Sequence, residues 1–361
     1  MKRIKLLNFI VVLIITTLLT TACVGVKRSN TMVWDNHIVV VDSIGRSVEI
    51  NGKVKKVAVF YPLAGHGLTM LDRDIEIVAV SQGLKRDVLL EELNPSLTNA
   101  VIAGSGKEVN IETLMAQNPD LIIVTKNMVS NEGEKQKLDH SNIPYLVIDY
   151  SNIREQQDVI AMLGKAIGKE ERAKAYNEFY KDTVSLVKKS VENMPEPERV
   201  RVFHSISEAT RTEIKGTISS DWINTAGLMN VIEDEKLNIF ENSKYFASLE
   251  QIYLWDPDAF LVNDIETAKY IMGDDKWAGL SAVKNQKVYP LPTGISRWGH
   301  VSSLEIPLVL LWTGKIFYPD KFSHIDLNQQ IKDYYKNFFD YEVSDKQVES
   351  ILKAEGMRLK K

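Results

Sequence analysis

Cationic and aromatic side chains gather in short segments that follow hydrophobic runs predicted as β-strands. These segments are residues 61–67 (YPLAGHG), 82–86 (QGLKR), 205–211, 218–222 and 293–300 (TGISRWGH). The guanidinium fork of arginine binds carboxylates and oxyanions, and aromatic faces stack on planar or catecholate ligands. The segments therefore predict a site for an anionic ligand or chelate, provided that the fold brings them to one edge.

Nine residues of these segments are candidate ligand-binding residues because each has a cationic, imidazole or aromatic side chain. They are Tyr61, His66, Lys85, Arg86, Arg211, Trp222, Arg297, Trp298 and His300. Structural alternatives stay open: Arg297 could stack on Trp298 in a surface loop, and His66 could belong to a glycine-flanked turn. Tyr61 could supply an oxygen to iron or only wall the cleft. His204 lies within a strand pattern and is expected in the core, and no metal ligand is assigned.

Motifs of catalysis are absent from the sequence. It has no His-Glu-x-x-His, no Gly-x-Ser-x-Gly elbow and no phosphate-binding loop, and its single cysteine is Cys23. These absences favour a binding protein that carries out no chemical step and holds no resident cofactor. An exported enzyme is the weaker alternative, and a structural surface protein is weaker still.

Length and composition limit the class of protein. The chain has 361 residues, of which 44% are hydrophobic and 25% are charged, with a formal net charge of −4. This composition is ordinary for a globular protein, and the length exceeds what one hydrophobic core usually supports. The mild acidity argues against a nucleic-acid partner, since nucleic-acid-binding domains are usually basic.

The N-terminal segment has the order of a secretory signal. Lys2, Arg3 and Lys5 precede an apolar stretch over residues 9–19, and small residues lead to Cys23. The stretch is short for a membrane-spanning helix. We predict a lipoprotein signal over residues 1–22, lipidation of Cys23 and a polar tether over residues 23–37, with an uncleaved anchor as the alternative. Without residues 1–22 the chain has 41 basic and 48 acidic residues, a net charge of −7.

Hydrophobic patterning divides the rest of the chain into three parts. Strands alternate with helices over residues 38–152, helical spacing without strands covers residues 153–193, and alternation resumes over residues 194–361 with a helical tail. We predict an α/β fold of two three-layer α/β lobes with parallel sheets, joined by a long rigid helix or two nearly continuous ones. Ligands of such folds lie at the carboxyl ends of the strands, between the lobes.

An internal repeat supports the two lobes. Residues 111–124 (IETLMAQNPDLIIV) and 249–262 (LEQIYLWDPDAFLV) align at an offset of 138, so Glu112 corresponds to Glu250 and Asp120 to Asp258. Each copy is predicted to be a helix, a Pro-Asp turn and a buried strand. Such a joint is common in α/β proteins, but a pair flanking the central helical segment favours lobes of similar topology.

Several stretches resemble one family in order and spacing. They are residues 41–48 (VDSIGRSV), 109–112 (VNIE), 118–121 (NPDL), 282–289 (AVKNQKVY), 310–312 (LLW), 317–319 (FYP) and 335–339 (YKNFF). Together they resemble the class III, helical-backbone substrate-binding lipoproteins of ABC importers, which serve ferric siderophores, haem, cobalamin and some metals or oxyanions. The resemblance covers nearly all of residues 38–352.

The resemblance implies function, partners and location. It implies a monomer, lipid-anchored on the extracytoplasmic face of the cell membrane, that delivers its ligand to a permease and its ATPase. By position it implies that Glu112 docks to the permease, and the repeat nominates Glu250 as the second docking residue. A helix-dipole role for these first-turn glutamates is the alternative. The first expectation for the ligand is an iron complex such as a ferric siderophore. Molybdate, tungstate, or a nickel or cobalt complex is the alternative on the same scaffold.

Overall fold

The computed structural model describes residues 37–359 except 234–236, 238 and 242–243. The predicted signal, Cys23 and all of the tether except its last residue lie outside the described residues. Within the described part of the chain, no helix is long and apolar enough to cross a membrane.

The first lobe is built on a five-stranded parallel sheet with strand order β5-β4-β3-β6-β7. A separate antiparallel hairpin precedes it, with Gly45 at φ of 82° in its turn. All the strands are short, and the central ones are apolar on both faces because helices cover the sheet from both sides. The strands are β1 His37–Val41, β2 Ser47–Asn51, β3 Lys56–Val59, β4 Glu76–Ser81, β5 Val101–Gly104, β6 Leu121–Thr125 and β7 Tyr145–Ile148.

Helices connect these strands. They are α1 Pro62–Leu71, a 3-10 turn Leu84–Arg86, α2 Val88–Leu93, α3 Ser96–Asn99, α4 Ile111–Met115, α5 Lys126–Val129 and α6 Glu132–His140. The interpretation of residues 61–67 as a glycine-rich loop is wrong, because Pro62 begins helix α1 and His66 lies inside it. Proline suits the first helical position, where no intrahelical N–H donor is needed.

The helical segment after the first lobe consists of two helices, α7 Ile153–Ile167 and α8 Glu170–Val191. Gly168 ends α7 in the left-handed conformation, with φ of 69°. The helices then pack side by side, since Gln157 Nε2 donates to Asn177 O at 3.2 Å and Asn177 Nδ2 donates to Gln157 O at 2.9 Å. The chain therefore turns back at Gly168 instead of continuing as a rod, and α8 alone is the long helix.

The second lobe contains a four-stranded parallel sheet of order β10-β8-β13-β14 and a small antiparallel sheet of order β11-β12-β9. The strands are β8 Arg201–Ser205, β9 Arg211–Thr212, β10 Met229–Asn230, β11 Ile239–Glu241, β12 Lys244–Phe246, β13 Ala259–Val262 and β14 Val288–Pro290. The helices are a 3-10 turn Glu196–Glu198, α9 Ile218–Thr225, α10 Leu249–Trp255, α11 Ile265–Gly273, α12 Ser281–Lys284, α13 Ile306–Phe317, α14 Leu327–Phe339 and α15 Asp345–Leu352.

The repeat predicted from the sequence has the same local geometry in both lobes. Asp120 Oδ2 accepts from the N–H of Lys56 at 2.8 Å, and Asp258 Oδ2 accepts from the N–H of Arg201 at 2.8 Å. Each aspartate also donates its own N–H to the carbonyl of that partner, at 2.8 Å in both cases. The aspartate of each Pro-Asp turn thus fixes the start of one central strand beside another.

One buried cluster runs from the first sheet through α7 and α8 into the second lobe. Its members include Leu63, Ile160, Tyr176, Trp298 and Tyr335. The predicted α/β class, with parallel-sheet lobes and a long helix between them, is confirmed. The lobes share more than that helix, however, because apolar side chains from both of them are packed into the same core.

Candidate ligand-binding site

A cleft of about 590 Å³ lies beyond the carboxyl ends of second-lobe strands, and Arg86 of the first lobe and residues after helix α15 complete its lining. Five cationic side chains line it: Arg86, Arg211, Lys269, Arg297 and Arg358. The lining has fewer acidic residues than cationic ones. It holds no Phe, Tyr or Trp, so its one aromatic ring is the imidazole of His300. The cleft therefore suits a ligand recognised by charge and hydrogen bonds.

Arg297 is the central cation of the cleft. Its Nη1 donates to Ser207 Oγ at 2.9 Å, which holds the guanidinium beside another residue of the cleft lining. Burial, together with the positive charges of Arg86 and Arg211, lowers the pKa of Arg297 to about 10, although the charge of Asp264 acts in the opposite direction. Arg86 belongs to the first lobe, whereas Arg211 and Arg297 belong to the second. Three guanidiniums from both lobes thus face one cavity.

His300 adds a neutral donor. Its Nδ1 accepts from the Ser302 N–H at 3.2 Å, so the ring proton is on Nε2. Burial, and then the charge of Arg297 and Arg211, hold the pKa of His300 well below its usual 6.5. The imidazole is therefore uncharged at neutral pH and offers an N–H to a ligand oxygen.

The loop that carries Arg297 and His300 is held from beneath by buried groups. Glu305 accepts from the N–H and the hydroxyl of Ser296, both at 2.8 Å, and from the hydroxyl of Tyr335. Trp222 Nε1 donates to Gly299 O at 3.0 Å, and Trp298 is fully buried. Neither tryptophan lines the cleft, so the two act as its support instead of its walls.

Three other predicted residues lie outside the cleft lining. Lys85 does not line the cleft, and it donates to the carbonyls of Leu97 and Thr98, the latter at 2.9 Å. The ring of Tyr61 packs edge-on against Tyr150, with centroids 6.1 Å apart. Burial raises the pKa of Tyr61 to about 12, so its side chain is an uncharged phenol at neutral pH.

His66 is also buried behind the cleft. Its Nε2 lies 3.1 Å from Asp87 Oδ2, and the ring is 1% exposed. Burial lowers the pKa of His66 to about 4. His204, expected in the core, is equally buried beside Asn263, at 3.0 Å from its Oδ1. The structure thus brings Arg86, Arg211, Arg297 and His300 together and leaves the other five candidates around them.

Sequence reasoning missed several lining residues. Asn263 and Asp264 directly follow β13, so the rule that selected the other strand-end segments would have selected them too. Arg358 has no such signal, because it follows helix α15 and reaches the cleft only through the tertiary fold. Among the described residues, no group of three or more His, Cys, Asp or Glu side chains could hold a metal ion.

Glu112 and Glu250 lie in the first turns of α4 and α10, as the repeat predicts, and both are exposed. Asn110 caps α4 by accepting from Thr113 N at 3.0 Å. Ser248 caps α10 by accepting from Gln251 N at 3.1 Å. Bonding to its own backbone N–H and to Ser248 lowers the pKa of Glu250. Both carboxylates are therefore accessible to a partner.

The fold and the cleft define an extracytoplasmic substrate-binding protein of an ABC importer. A family model described as periplasmic binding protein matches residues 72–293, more than half of the chain, and the chain belongs to this family. Its members bind solutes outside the cytoplasm, and the class III importer proteins expected from the sequence are among the structural neighbours.

Two comparisons concern the molybdate-binding protein MolA of Haemophilus influenzae. That protein is 25% identical over 327 residues, which cover 83% of this chain and 90% of MolA. Its structure bound to molybdate superposes with a TM-score of 0.75 at 22% identity and covers 85% of this chain and 99% of MolA.

Other solved structures share the fold. A periplasmic solute-binding protein from Veillonella parvula gives a TM-score of 0.74 at 25% identity and covers 88% of this chain and 97% of its own. The Helicobacter pylori protein CeuE, in a complex with nickel and histidine, gives a TM-score of 0.69 at 20% identity. The match covers 88% of this chain and 99% of the CeuE chain. At this identity CeuE supports the fold alone.

Proposed function

We propose that this protein captures a small oxyanion of the molybdate and tungstate class and delivers it to an ABC permease and its ATPase. The observation that carries the proposal is the set of Arg86, Arg211 and Arg297 around one cleft. None of the three forms an ion pair within the described residues, although the protein is acidic overall. A doubly charged anion would offset their mutual repulsion.

The donors present match such an anion. Arginine forks bind tetrahedral oxyanions through paired N–H groups. Arg211 Nε is buried without a hydrogen-bond partner, a costly state that a ligand oxygen would relieve. His300 Nε2–H and the Ser207 hydroxyl complete a donor-rich site. The similarity to MolA, a molybdate-binding protein, supports the same class of ligand.

An anionic ferric chelate, the first expectation from the sequence, is the second candidate, together with a nickel or cobalt complex. The cleft of about 590 Å³ favours it, because this volume falls in the range of ligand pockets for drug-sized molecules. Against it, no Phe, Tyr or Trp side chain lines the cleft to stack on a haem or a catecholate.

The test is calorimetric titration of the purified protein with molybdate, tungstate, sulfate, ferric chelates and nickel–histidine. We expect molybdate and tungstate to bind, to raise the unfolding temperature, and to bind more weakly as ionic strength increases. Binding of a ferric chelate with no molybdate binding would make the second candidate the function. Binding of no member of the panel would refute both.

The proposal also includes how the protein is held at the membrane and how it docks on the permease. Lipidated Cys23 would hold a monomer on the extracytoplasmic face of the membrane, with residues 24–37 as the tether. Replacement of Cys23 by alanine should move the protein from the membrane fraction into the soluble fraction of cells. Glu112 and Glu250 would dock the two lobes on the permease.

A further inference from the structure

Residues 354–359, here called the strap, follow helix α15 and form one side of the cleft. Five of the six residues line the cavity, and Arg358 is among them. The strap lies outside residues 72–293, the part of the chain that the family model matches. That match therefore carries no information about the strap.

The strap is joined to the first lobe by backbone hydrogen bonds. Val88 N donates to Met357 O at 3.1 Å, and Leu359 N donates to Arg86 O at 2.9 Å. Asp87 and Arg358 form an antiparallel bridge between these bonds. The strap thus pairs with the segment that carries Arg86, one of the three cleft arginines.

A buried ion pair strengthens this junction. The Arg358 guanidinium contacts Asp87, whose side chain is 2% exposed. The other oxygen of Asp87 meets His66, which is uncharged at neutral pH. Arg358 is therefore the counter-charge of a buried carboxylate, and removing one partner of such a pair is expensive.

Helix α15, which precedes the strap, is joined to the second lobe. Thr293 N donates to Ile351 O at 2.9 Å, which links the last turn of α15 to the loop that carries Arg297 and His300. Helix α15 and the strap together span the cleft on one side. They connect the backbone beside Arg86 to the backbone beside Arg297.

We propose that the strap is a wall of the ligand site that fixes the spacing of Arg86 and Arg297 and so favours an anion small enough to contact both of them. The inference rests on the proposed function, because it needs an anionic ligand in this cleft. Release of the strap would free one edge of the cavity and let the arginines separate. A small oxyanion would then lose contacts, whereas a larger anionic chelate would still reach both arginines.

A pair of variants isolates one strap bond. Val88 is the first residue of α2, and the extended Asp87 before it has φ of −85° and ψ of 98°, so proline fits there. V88P removes the N–H that bonds Met357, whereas V88A removes a similar part of the side chain and keeps that N–H. Since one hydrogen bond is lost, we expect V88P to bind molybdate roughly three- to tenfold more weakly than V88A. Equal affinities would overturn the proposal.

Truncation gives the larger effect. A chain that ends after Lys353 lacks the strap, and its matched control ends after Leu359. We expect the chain ending at Lys353 to bind molybdate at least tenfold more weakly than its control and to bind ferric citrate equally or more tightly. Equal loss for both probes would show that the strap only stabilises the fold, and would overturn size selection.

A measurement without ligand separates this inference from the proposed function. Hydrogen exchange of residues 84–93 in the ligand-free protein should increase in V88P and in the chain ending at Lys353, but not in their controls. Unchanged exchange would overturn the inference whatever the protein binds. Increased exchange together with no binding of molybdate or ferric citrate by the wild type would instead refute the proposed function and, with it, the role of the strap in size selection.

Discussion

The guanidinium of Arg297 lies at the centre of the cationic cleft and bonds only a serine hydroxyl among the described residues. We predict that Arg297→Ala weakens molybdate binding about 10- to 100-fold, since a hydrogen bond to a charged group contributes about 1.5–3 kcal/mol. Arg297→Lys should recover part of the affinity, because lysine supplies the charge without the planar fork. Titration calorimetry measures both variants.

Lys85→Ala is the matched control for the arginine variants. Lys85 is adjacent to Arg86 in sequence, but its ammonium group binds carbonyls at the end of α3. Its removal should leave the affinity for molybdate unchanged. A loss similar to that of Arg297→Ala would mean that general surface charge, instead of the cleft, attracts the anion.

Buried histidines predict how the stability depends on pH. His66 and His204 each have a folded-state pKa of about 4 against a usual value of 6.5, because burial disfavours the charged ring. Between these values the unfolded chain binds more protons, so the free energy of unfolding falls as the pH falls. Each of these two histidines should lower the free energy of unfolding by about 2 kcal/mol between pH 7 and pH 5. His300 acts in the same direction.

Denaturant unfolding at a series of pH values tests this expectation. His204→Gln retains a polar side chain beside Asn263 but cannot take up a proton. Its stability should fall between pH 7 and pH 5 by about 2 kcal/mol less than that of the wild type. Parallel pH profiles for the two proteins would show that His204 titrates normally in the folded state.

At the scale of residues, the sequence indicated which residue types line the cleft better than which individual side chains reach it. Arg86, Arg211, Arg297 and His300 were selected by residue type at strand ends, and the structure gathers them in one cleft. Lys85 is also cationic and adjacent to Arg86, yet its ammonium group bonds carbonyls outside the cleft. That difference depends on the carbonyls of Leu97 and Thr98, which the packing of helix α3 brings to the short 3-10 turn.

At the scale of elements, the alternation of strands and helices was predictable from the hydrophobic pattern, whereas the small antiparallel sheet of the second lobe and helix α1 were not. Gly65 and Gly67 made residues 61–67 resemble a turn. In the structure, a Cβ at Gly65 would meet Leu84, and one at Gly67 would meet Ile160 at 3.1 Å. These glycines permit close packing of a buried helix, which is a tertiary constraint that a local pattern does not contain.

The hairpin of α7 and α8 supports a prediction on two glycines. A Cβ at Gly164 would lie 2.6 Å from that of Ala173 on the facing helix, and Gly168 has φ of 69°. Gly164→Ala should cost roughly 1–3 kcal/mol through overpacking, and Gly168→Ala about 1 kcal/mol through backbone strain. Gly273→Ala is the control, because Gly273 has open space and no positive φ. Chemical denaturation of the three variants should rank them in that order.

At the scale of the whole molecule, the continuous core limits how far the lobes can move apart. Apolar side chains from both sheets and from α7 and α8 share one cluster, so wide opening would expose buried surface. The two-lobed class was predictable because the repeat and the periodicity are local patterns. The shared core was not, because its contacts join residues far apart in the sequence.

Docking to the permease belongs to the whole molecule, since it needs both lobes at once. Glu112 and Glu250 are exposed first-turn glutamates on separate lobes. We predict that Glu112→Lys or Glu250→Lys abolishes uptake by cells, because a reversed charge would repel the basic groups of the permease to which these carboxylates are proposed to dock. The affinity of the purified protein for its ligand should remain unchanged, since neither residue lines the cleft.

Glu170→Lys separates docking from a general helix effect. Glu170 is also an exposed first-turn glutamate, on α8, so its reversal alters a helix dipole to a similar extent. Uptake should remain normal in this variant while it is lost in the other two. If all three variants lose uptake equally, or if Glu112→Lys weakens ligand binding itself, then the glutamates act on the fold and the assignment of docking to them is wrong.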